Sequence, residues 1–235
     1  MMDPLAGSSW SAPSTVSGFA RSGPNETLVA FARGELERVR REPTRGAPRL
    51  VDLGCGAGRN ALPLARDGWS VLGTDLSAPM LHAARERVRN EGLGNRVALA
   101  LAPMDRLPAA SGSADVVVAH GIWNLARSTA EWRRALAEAS RVARPGAGLF
   151  VFTFSRNTLA DEAKPVPGEA FVFTQFSGQP QCFVTEPELF AELAAFGFEP
   201  DAAVPLTEHN RRRRGALHSG GPPVIYEAAF RRRAG

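Results

Sequence analysis

The chain has 235 residues, of which 44% are hydrophobic, so it can bury one large core without metals or disulfides, and we expect a single domain. It contains no apolar run of bilayer-spanning length, and residues 1–10 lack the basic and apolar regions of a signal peptide, so we expect neither membrane association nor secretion. The formal net charge is +4, but without Arg211–Arg214 and Arg231–Arg233 the chain has 21 basic and 24 acidic residues. We interpret these two basic runs as a solvated loop and a solvated tail. This distribution of charge disfavours nucleic acid as a partner.

The two cysteines, Cys55 and Cys182, have no CxxC spacing and predict neither a zinc site nor a disulfide framework. Their small number is typical of a protein in a reducing compartment, so we expect a cytoplasmic location and no bound metal. The sequence leaves both a monomer and a homodimer open.

Residues 1–23 are rich in Ser, Gly, Pro and Ala and predict a loose arm or lid ahead of a single domain, residues 24–235. Apolar residues at helical spacing then predict a helix from Asn25 to about Arg41, and residues 43–48 form a linker. Strands and helices alternate after the linker, which predicts an α/β fold with a Rossmann-like, mostly parallel sheet and helices on both faces. The predicted strands are Arg49–Leu53, Ser70–Thr74, Arg96–Leu101, Asp115–Ala119 and Leu149–Phe154, and the predicted helices are Asn60–Arg66, Pro79–Asn90 and a helix from Ser128 to a stop at Pro145-Gly146.

The last third departs from this alternation. A capping box at Thr185–Glu188 begins a helix that runs to Phe196. The predicted strands Ala202–Leu206 and Val224–Phe230 follow without a helix between them, so the last strand of the seven-stranded sheet should be antiparallel. Residues 156–184 form a long insertion, which is typical of a lid or binding loop on the substrate side.

The most informative stretch is the turn after the first strand, VDLGCGAGRN at residues 51–60. Its glycines permit a tight turn and close approach of a ligand, and open α/β sheets bind ligands outside the carboxyl ends of their strands. The stretch is not a phosphate-binding P-loop, and Arg59 stands where a dinucleotide fingerprint has its third glycine. The pattern acid-x-Gly-x-Gly-x-Gly suits a thioether-linked nucleoside with an amino-acid end. Asp52 can face the ammonium of that amino-acid end, and the amides of the loop can bind its carboxylate.

Residues 49–155 resemble the class I S-adenosylmethionine (SAM)-dependent methyltransferase family, and the likeness extends more loosely to residue 230. The turn matches the first motif, and the stretch Arg144-Pro145-Gly146 matches a late motif. The resemblance implies that Asp75 binds the ribose hydroxyls, that Asp105 holds the adenine amino group, and that SAM is converted to S-adenosylhomocysteine. The residues it assigns to the cofactor are Asp52, Gly54, Cys55, Gly56, Gly58, Asn60, Asp75, Leu76, Met80, Met104, Asp105, Arg106 and His120.

Each of these residues also has a purely structural interpretation. Gly54 fits a plain tight turn, Asp75 fits a charge at a helix N-terminus, and Asp105 fits a turn. Cys55 fits a small packing residue, since no neighbour would activate its thiol. The order of the matches, each at a strand end, favours the cofactor interpretation.

Methyl transfer from SAM depends mainly on alignment, and a base is needed only if the acceptor must lose a proton. His120 follows the fourth strand and is the candidate catalytic base, although we favour a role in which it only shapes the pocket. Trp123 is either a pocket wall or a core residue. The candidate substrate-binding residues are Phe19, Arg21, Trp123, Arg156, Phe171, Phe173 and Phe176, with Gln175 and Phe183 beside them. Packing of the insertion on the sheet is the alternative for each phenylalanine.

The sequence therefore predicts a SAM-dependent methyltransferase acting on a small molecule at oxygen, nitrogen or a soft atom. His-Gly-Ile-Trp at 120–123 replaces the Asn/Asp-Pro-Pro-aromatic turn of enzymes that methylate amino groups of adenine or glutamine. The stretch GRNAL at 58–62 is similar to the tellurite-resistance branch of small-molecule methyltransferases. Two alternatives remain: an RNA methyltransferase that grips phosphates through Arg211–Arg214, and a SAM-binding protein without catalysis.

Overall fold

The computed structural model describes residues 3–42, 46–211 and 221–234. Its helices are α1 (Pro13–Arg21), α2 (Glu26–Arg40), α3 (Ala61–Asp67), α4 (Ala78–Asn90), α5 (Thr129–Val142) and α6 (Glu186–Ala195). Its strands are β1 (Arg49–Leu53), β2 (Ser70–Asp75), β3 (Val97–Leu101), β4 (Ala114–His120), β5 (Ala143–Phe154), β6 (Val172–Phe173), β7 (Gln181–Cys182), β8 (Phe198–Pro200), β9 (Thr207–His209) and β10 (Ile225–Arg232).

The main sheet has the strand order β3-β2-β1-β4-β5-β10-β8, with β9 paired to the beginning of β10. Strands β1 to β5 are parallel, and β10 is antiparallel to β5, β8 and β9. The predicted α/β class, the mostly parallel sheet and the antiparallel last strand are therefore confirmed. The sheet has eight strands rather than seven, and β6 and β7 form a separate hairpin inside the insertion.

Helices cover both faces of the sheet, as predicted. Helices α2, α3 and α4 pack on one face and bury Leu28, Leu62 and Val88 among others. Helices α5 and α6 pack on the other face together with the hairpin, where Trp132 and Phe171 are buried. Capping side chains define where α2, α4, α5 and α6 begin, and Thr185 and Glu188 form the predicted capping box.

The prediction of a strand at Ala202–Leu206 is wrong. These residues connect two short strands, β8 before them and β9 after them. Asp201 begins a turn there: its carboxylate accepts the amide hydrogen of Ala203, and its backbone carbonyl accepts that of Val204. Pro205 has no amide hydrogen to offer to a neighbouring strand. The polypeptide pairs with β10 before and after this turn, as β8 and β9.

Strand β5 begins six residues before the predicted start at Leu149, directly at the end of α5. Its pairing with β4 shifts register, because Ala114 is opposite Ala143 whereas Val116 is opposite Gly148. The residues between them form an irregularity in which Gly146 has a φ of 75°. Pro145-Gly146 therefore marks a bulge at the beginning of the strand and not the end of a helix.

The arm is more ordered than predicted. Residues 9–11 form a 3-10 turn, and Pro13 occupies the first turn of α1, where its fixed φ favours a helix. Helix α1 packs on α4, with Trp10 and Phe19 in aromatic contact at 6.1 Å between ring centroids. The prediction of a loose arm is wrong for residues 9–21.

The interpretation of Arg231–Arg233 as a solvated tail is also wrong, because Arg231 and Arg232 belong to β10. Arg231 donates to Glu35 at 2.7 Å and is ion-paired with Asp201. Arg232 donates to the carbonyl of Gly197 at 3.1 Å. Of the other basic run, Arg212–Arg214 lie outside the described residues. None of the helices in the described ranges has the length and apolarity to cross a membrane.

Candidate active site

The glycine-rich turn joins β1 to α3 at the carboxyl edge of the sheet. Gly54, Gly56 and Gly58 have φ values of 64°, 53° and 78°. Residues with a side chain rarely adopt this backbone conformation. A Cβ at Gly54 would stand 2.7 Å from Cδ1 of Ile122, the residue that follows β4 by two positions. The turn therefore requires glycine both for its backbone conformation and for its close approach to the end of β4.

Asp52 lies in β1 directly before the turn and is buried. Its Oδ2 has no hydrogen-bond partner among the described residues. Burial raises the pKa of Asp52 to about 7; the positive charge of Arg59 opposes this rise, and the negative charge of Asp75 adds to it. The site therefore holds a carboxyl group that is ready to accept a hydrogen bond or to face a cation.

Asp75 ends β2 and binds the turn directly. Its Oδ2 accepts the amide hydrogen of Gly56 at 2.9 Å, and its Oδ1 accepts that of Ser77 at 2.8 Å. Burial raises the pKa of this carboxyl, while the backbone hydrogen bonds work against the rise. The structure thus brings together two of the residues that the sequence assigned to the cofactor.

The hydrogen bond of Asp105 joins it to a different part of the structure from Gly56 and Asp75. Its Oδ2 accepts a hydrogen bond from Nε of Arg134 on α5 at 3.0 Å. Of its neighbours, Met104 is buried in the core and Arg106 is exposed. The role of these three residues toward adenine stays a prediction.

The arm covers the turn. A Cβ atom at Gly56 would lie 3.8 Å from both the Phe19 ring and the Met80 sulfur, and Gly56 is buried. The hydroxyl oxygens of Ser11 and Ser77 are 3.1 Å apart. Phe19, predicted to contact substrate, therefore lies against the turn itself. Leu76 is half-buried beside it.

His120 ends β4 in a cluster with Arg59 and Asn25. Nη2 of Arg59 lies 3.3 Å from Nδ1 and 3.4 Å from Nε2 of the imidazole, which stacks on Phe152 at 4.2 Å between centroids. Burial lowers the pKa of His120 to about 4, and the charge of Arg59 contributes to the decrease. His120 is therefore neutral at physiological pH.

The orientation of Asn25 decides how His120 is bonded. Its Oδ1 caps α2 by accepting the amide hydrogen of Leu28 at 2.8 Å, so its Nδ2 faces the other way. That Nδ2 donates to Oε1 of Glu227 at 2.7 Å and lies 3.2 Å from Nε2 of His120. Donors of Asn25 and Arg59 thus face both ring nitrogens, so the nitrogen that carries the lone pair already has a hydrogen-bond donor beside it, which argues against its use as a base.

Four residues of this cluster were not selected from the sequence: Asn25, Arg59, His209 and Glu227. Glu227 is 4% exposed, and its Oε2 lies 2.9 Å from Nε2 of His209. The one available signal was a charged residue inside the apolar run Val224–Phe230, because a charge on a buried strand needs a partner.

Two other cofactor candidates have structural contacts. Oδ1 of Asn60 accepts the amide hydrogen of Asn25 at 3.0 Å, which joins the beginnings of α2 and α3. Cys55 is buried against Gly73, and burial raises the pKa of its thiol well above the usual value. These contacts suit packing and alignment of the turn.

The candidate substrate residues divide into buried and exposed groups. Trp123 is fully buried and packs on Trp132 at 5.9 Å, so it is a core residue here and not a pocket wall. Phe171 and Phe173 are also buried. Arg156 donates to backbone carbonyls within the insertion and lies 4.9 Å over the Phe173 ring. These positions fit packing of the insertion on the sheet.

The exposed candidates are Phe176 and Arg21. Phe176 is 38% exposed and packs on Phe154 and Phe183 at 5.7 Å from each. Arg21 donates to the hydroxyl of Ser17 on the outer face of α1. Gln175 is exposed beside Phe176, and Phe183 is buried. Among the described candidates, Phe176 is therefore the exposed aromatic side chain, and it packs against Phe154 at the end of β5.

Comparison with known proteins agrees with this geometry. Residues 50–146 match the family model described as a methyltransferase domain. Methyltransferase GfsG of Streptomyces halstedii is 33% identical over 161 residues, which cover 67% of this chain and 53% of that protein. A SAM-dependent methyltransferase from Methanosarcina mazei has the same fold, with a TM-score of 0.62 and 21% identity over 84% of this chain and 98% of that one.

Residues 50–146 therefore form a methyltransferase domain of the class I SAM-dependent type. The match spans about half the length of GfsG. A third protein of similar structure is the 1,6-didemethyltoxoflavin-N1-methyltransferase of Burkholderia thailandensis, solved with bound 1,6-didemethyltoxoflavin and S-adenosylhomocysteine. It has a TM-score of 0.59 and 21% identity, covering 88% of this chain and 80% of that one.

The residues at the turn fit the family's methyl donor, SAM. Asp52 offers a buried oxygen without a partner, and the ammonium of SAM is a donor of the required charge. Each carboxylate oxygen of Asp75 has a further lone pair for a ribose hydroxyl. In the part of the chain that the structure describes, no three His, Cys, Asp or Glu side chains cluster so as to hold a metal ion.

Proposed function

We propose that this methyltransferase transfers a methyl group from SAM to a small organic acceptor, with release of S-adenosylhomocysteine. The observation that supports it most directly is the hydrogen bond between Gly56 and Asp75, which joins the glycine turn to the end of β2 beside the buried carboxyl of Asp52. This is the arrangement that a nucleoside with a charged amino-acid end requires at the carboxyl edge of an α/β sheet.

Five residues would hold the donor in this proposal. Asp75 would accept the ribose hydroxyls, and the turn at Gly54 and Gly56 would allow close backbone approach. Asp52 would face the ammonium, and Arg59 would face the carboxylate. Arg59 is suited to this because its guanidinium is half-buried and forms no ion pair with a carboxylate among the described residues; its contacts are the Gly23 carbonyl and the His120 ring.

SAM supplies a methyl group on a positively charged sulfur, so the protein's main task is alignment of donor and acceptor. His120 would contribute to this by shape: its ring is fixed between Phe152 and Arg59, and Nδ2 of Asn25 lies 3.2 Å from its Nε2. We therefore assign His120 a positioning role.

Two observations favour a small acceptor over RNA. Arg231 and Arg232 are engaged with Glu35, Asp201 and the Gly197 carbonyl, so they are not available to grip phosphates. The exposed ring of Phe176 at the end of β5 instead offers an apolar surface for an organic molecule. The toxoflavin enzyme of similar structure, by its name, also methylates a small molecule.

The test is incubation of the protein with methyl-labelled SAM and a metabolite extract, followed by mass spectrometry of labelled products. An Asp75→Ala variant, which loses the proposed ribose contact, is the matched negative control. We expect a labelled small molecule that this variant does not produce. Label in RNA of the same extract would favour the RNA alternative, and tight SAM binding without any labelled product would favour a non-catalytic binding protein.

A further inference from the structure

His209 and Glu227 form a second polar pair at the same edge of the sheet. Glu227 lies in β10 with a side chain only 5% exposed, whereas the side chain of His209, in β9, is 42% exposed. Nε2 of His209 lies 2.9 Å from Oε2 of Glu227. The pair therefore consists of a buried carboxylate and an imidazole that reaches solvent.

Strand register places Glu227 level with His120, and His209 is opposite Ile225, two residues from Glu227 along β10. Phe152 of β5 is opposite both His120 of β4 and Glu227 of β10, so the three side chains form a row on one face. The Phe152 ring separates the two imidazoles, with centroids 4.2 Å from His120 and 6.4 Å from His209. An acceptor that lies along this edge can contact the end of β4 and His209 together.

Hydrogen bonding fixes the tautomer of His209. A carboxylate only accepts hydrogen bonds, and Glu227 accepts from Asn25 at Oε1, so the contact at Oε2 requires a hydrogen on Nε2 of His209. Nδ1 then carries the lone pair, and it has no protein partner within the described residues. An imidazole held by a buried carboxylate at one nitrogen, with no partner among the described residues at the other, is the arrangement of a general base.

We propose that His209 is the base of the reaction, that Glu227 positions it, and that the acceptor is a small molecule with a hydroxyl group; this rests on the methyltransferase function proposed above. The hydroxyl proton moves to Nδ1 of His209, and the oxygen lone pair forms the bond to the methyl carbon. The carbon–sulfur bond breaks, and its electron pair stays on sulfur, which becomes neutral. The exposed imidazolium then returns its proton to water.

Among the described residues, the charged group in contact with His209 is Glu227 of β10. Glu208 precedes His209 in β9, and consecutive side chains of a strand point to opposite faces. The Glu208 carboxylate is itself engaged by Ser155 and Asn157 at 2.7 and 2.6 Å and lies 3.3 Å from Arg211. Glu227 is therefore the charge that His209 contacts directly.

The kinetic test uses the acceptor found with labelled SAM and compares His209→Ala, His209→Gln and Glu227→Gln with wild type across pH. We expect both His209 variants to lose about 100-fold or more in kcat, with SAM affinity by calorimetry within about twofold of wild type. Glu227→Gln should lower kcat while the KM for SAM stays close to wild type, because the imidazole loses the carboxylate that orients it. His82→Ala, on the exposed surface of α4, is the control. A His209 variant with wild-type kcat would overturn the proposal.

A second measurement needs no acceptor. Nitrogen-15 spectra of histidine-labelled protein report which ring nitrogen of His209 carries hydrogen, and His209→Gln assigns the signal. We expect hydrogen on Nε2 in wild type, with the preference weakened in Glu227→Gln. Hydrogen on Nδ1 would overturn the assignment of the base. If SAM binds but no extract yields a product, the methyltransferase proposal fails, and the spectra still decide the state of His209.

Discussion

The side-chain amide of Asn25 lies 2.7 Å from Oε1 of Glu227, which is 202 positions later in the chain. The same side chain caps α2 through the amide of Leu28 and bonds to His120. One residue therefore ends the loop between the arm and the domain, begins a helix and satisfies a buried carboxylate in β10. The arrangement of the side chains at the carboxyl edge of the sheet depends on this single amide.

Replacing Asn25 with alanine should destabilise the protein more than the loss of an ordinary helix cap. The cap contributes about 1 kcal/mol, and a buried Glu227 oxygen left without a donor costs roughly 1–3 kcal/mol more. Urea unfolding measures the difference. Ser128→Ala removes only the cap of α5 and is the matched control. Equal decreases in the free energy of unfolding for Asn25→Ala and Ser128→Ala would mean that the contact with Glu227 contributes no stability.

Asp52 should make the protein without SAM less stable as the pH rises. Burial raises the pKa of Asp52 to about 7 in the folded state, above the usual 3.8, so the folded state binds the proton more tightly. Stability attributable to Asp52 therefore falls between about pH 4 and pH 7, by a few kcal/mol at most. We expect Asp52→Asn to unfold at higher urea concentration than wild type at pH 8, with a smaller difference at pH 5. A difference that does not change with pH would contradict this assignment.

His120 should act in the opposite direction. Burial and Arg59 lower its pKa to about 4 in the folded state from 6.5, so the stability it contributes is present above about pH 6.5 and is lost as the pH falls toward 4. A His120→Gln variant should lose less stability than wild type between pH 7 and pH 4.5. The comparison is made in the Asp52→Asn background, so that the two titrations do not overlap. If the two proteins lose equal stability, His120 is not held neutral by its surroundings.

Asp75→Ala should weaken SAM binding by about 10-fold to 100-fold, equivalent to roughly 1–3 kcal/mol for lost hydrogen bonds to a charged acceptor. Calorimetry measures the affinity, and the thermal midpoint of unfolding reports any damage to the turn at Gly56. Asp67→Ala, at the end of α3 and paired with Arg33, is the control carboxylate. Unchanged affinity in Asp75→Ala would refute the ribose assignment.

Arg59→Ala should distinguish the amino-acid end of SAM from its nucleoside end. If Arg59 faces the carboxylate, the variant should bind SAM about 10-fold more weakly, whereas 5′-methylthioadenosine, which lacks the amino-acid end, should bind equally well to both proteins. Arg66→Ala, paired with Glu91 on the outer surface, is the control. Equal losses for the two ligands would place Arg59 outside the carboxylate site.

The sequence predicted the parts of the fold that local patterns determine. Apolar periodicity, capping boxes and the glycine-rich turn predict α2, β1 and the alternation of strands and helices along the chain, because each depends on neighbouring residues. The short strands around Asp201 and the helix in the arm were missed, because both depend on distant partners, namely β10 and α4. Location, oligomeric state and similarity to the tellurite-resistance branch stay predictions.

The candidate site divides in the same way. Asp52, Asp75 and the glycines follow a motif within one stretch of the chain and could be selected from it. Asn25 and Glu227 could not, because their pairing joins positions far apart in sequence. The aromatic candidates show the reverse difficulty: Trp123 and Phe171 have residue types that suit a pocket, but their place in the core follows from tertiary packing.

The position of β10 has a consequence for how the protein is made. This strand lies between β5 and β8 and supplies Glu227 and Arg231 to partners near the beginning of the domain. While residues 225–232 are still inside the ribosomal tunnel, β5 has an unpaired edge and the amide of Asn25 lacks its carboxylate. A nascent polypeptide that has already emerged through α6 is thus an open template for aggregation. A stop codon before residue 225 would therefore remove an interior strand of the sheet, on which β8 and β9 both depend for their pairing.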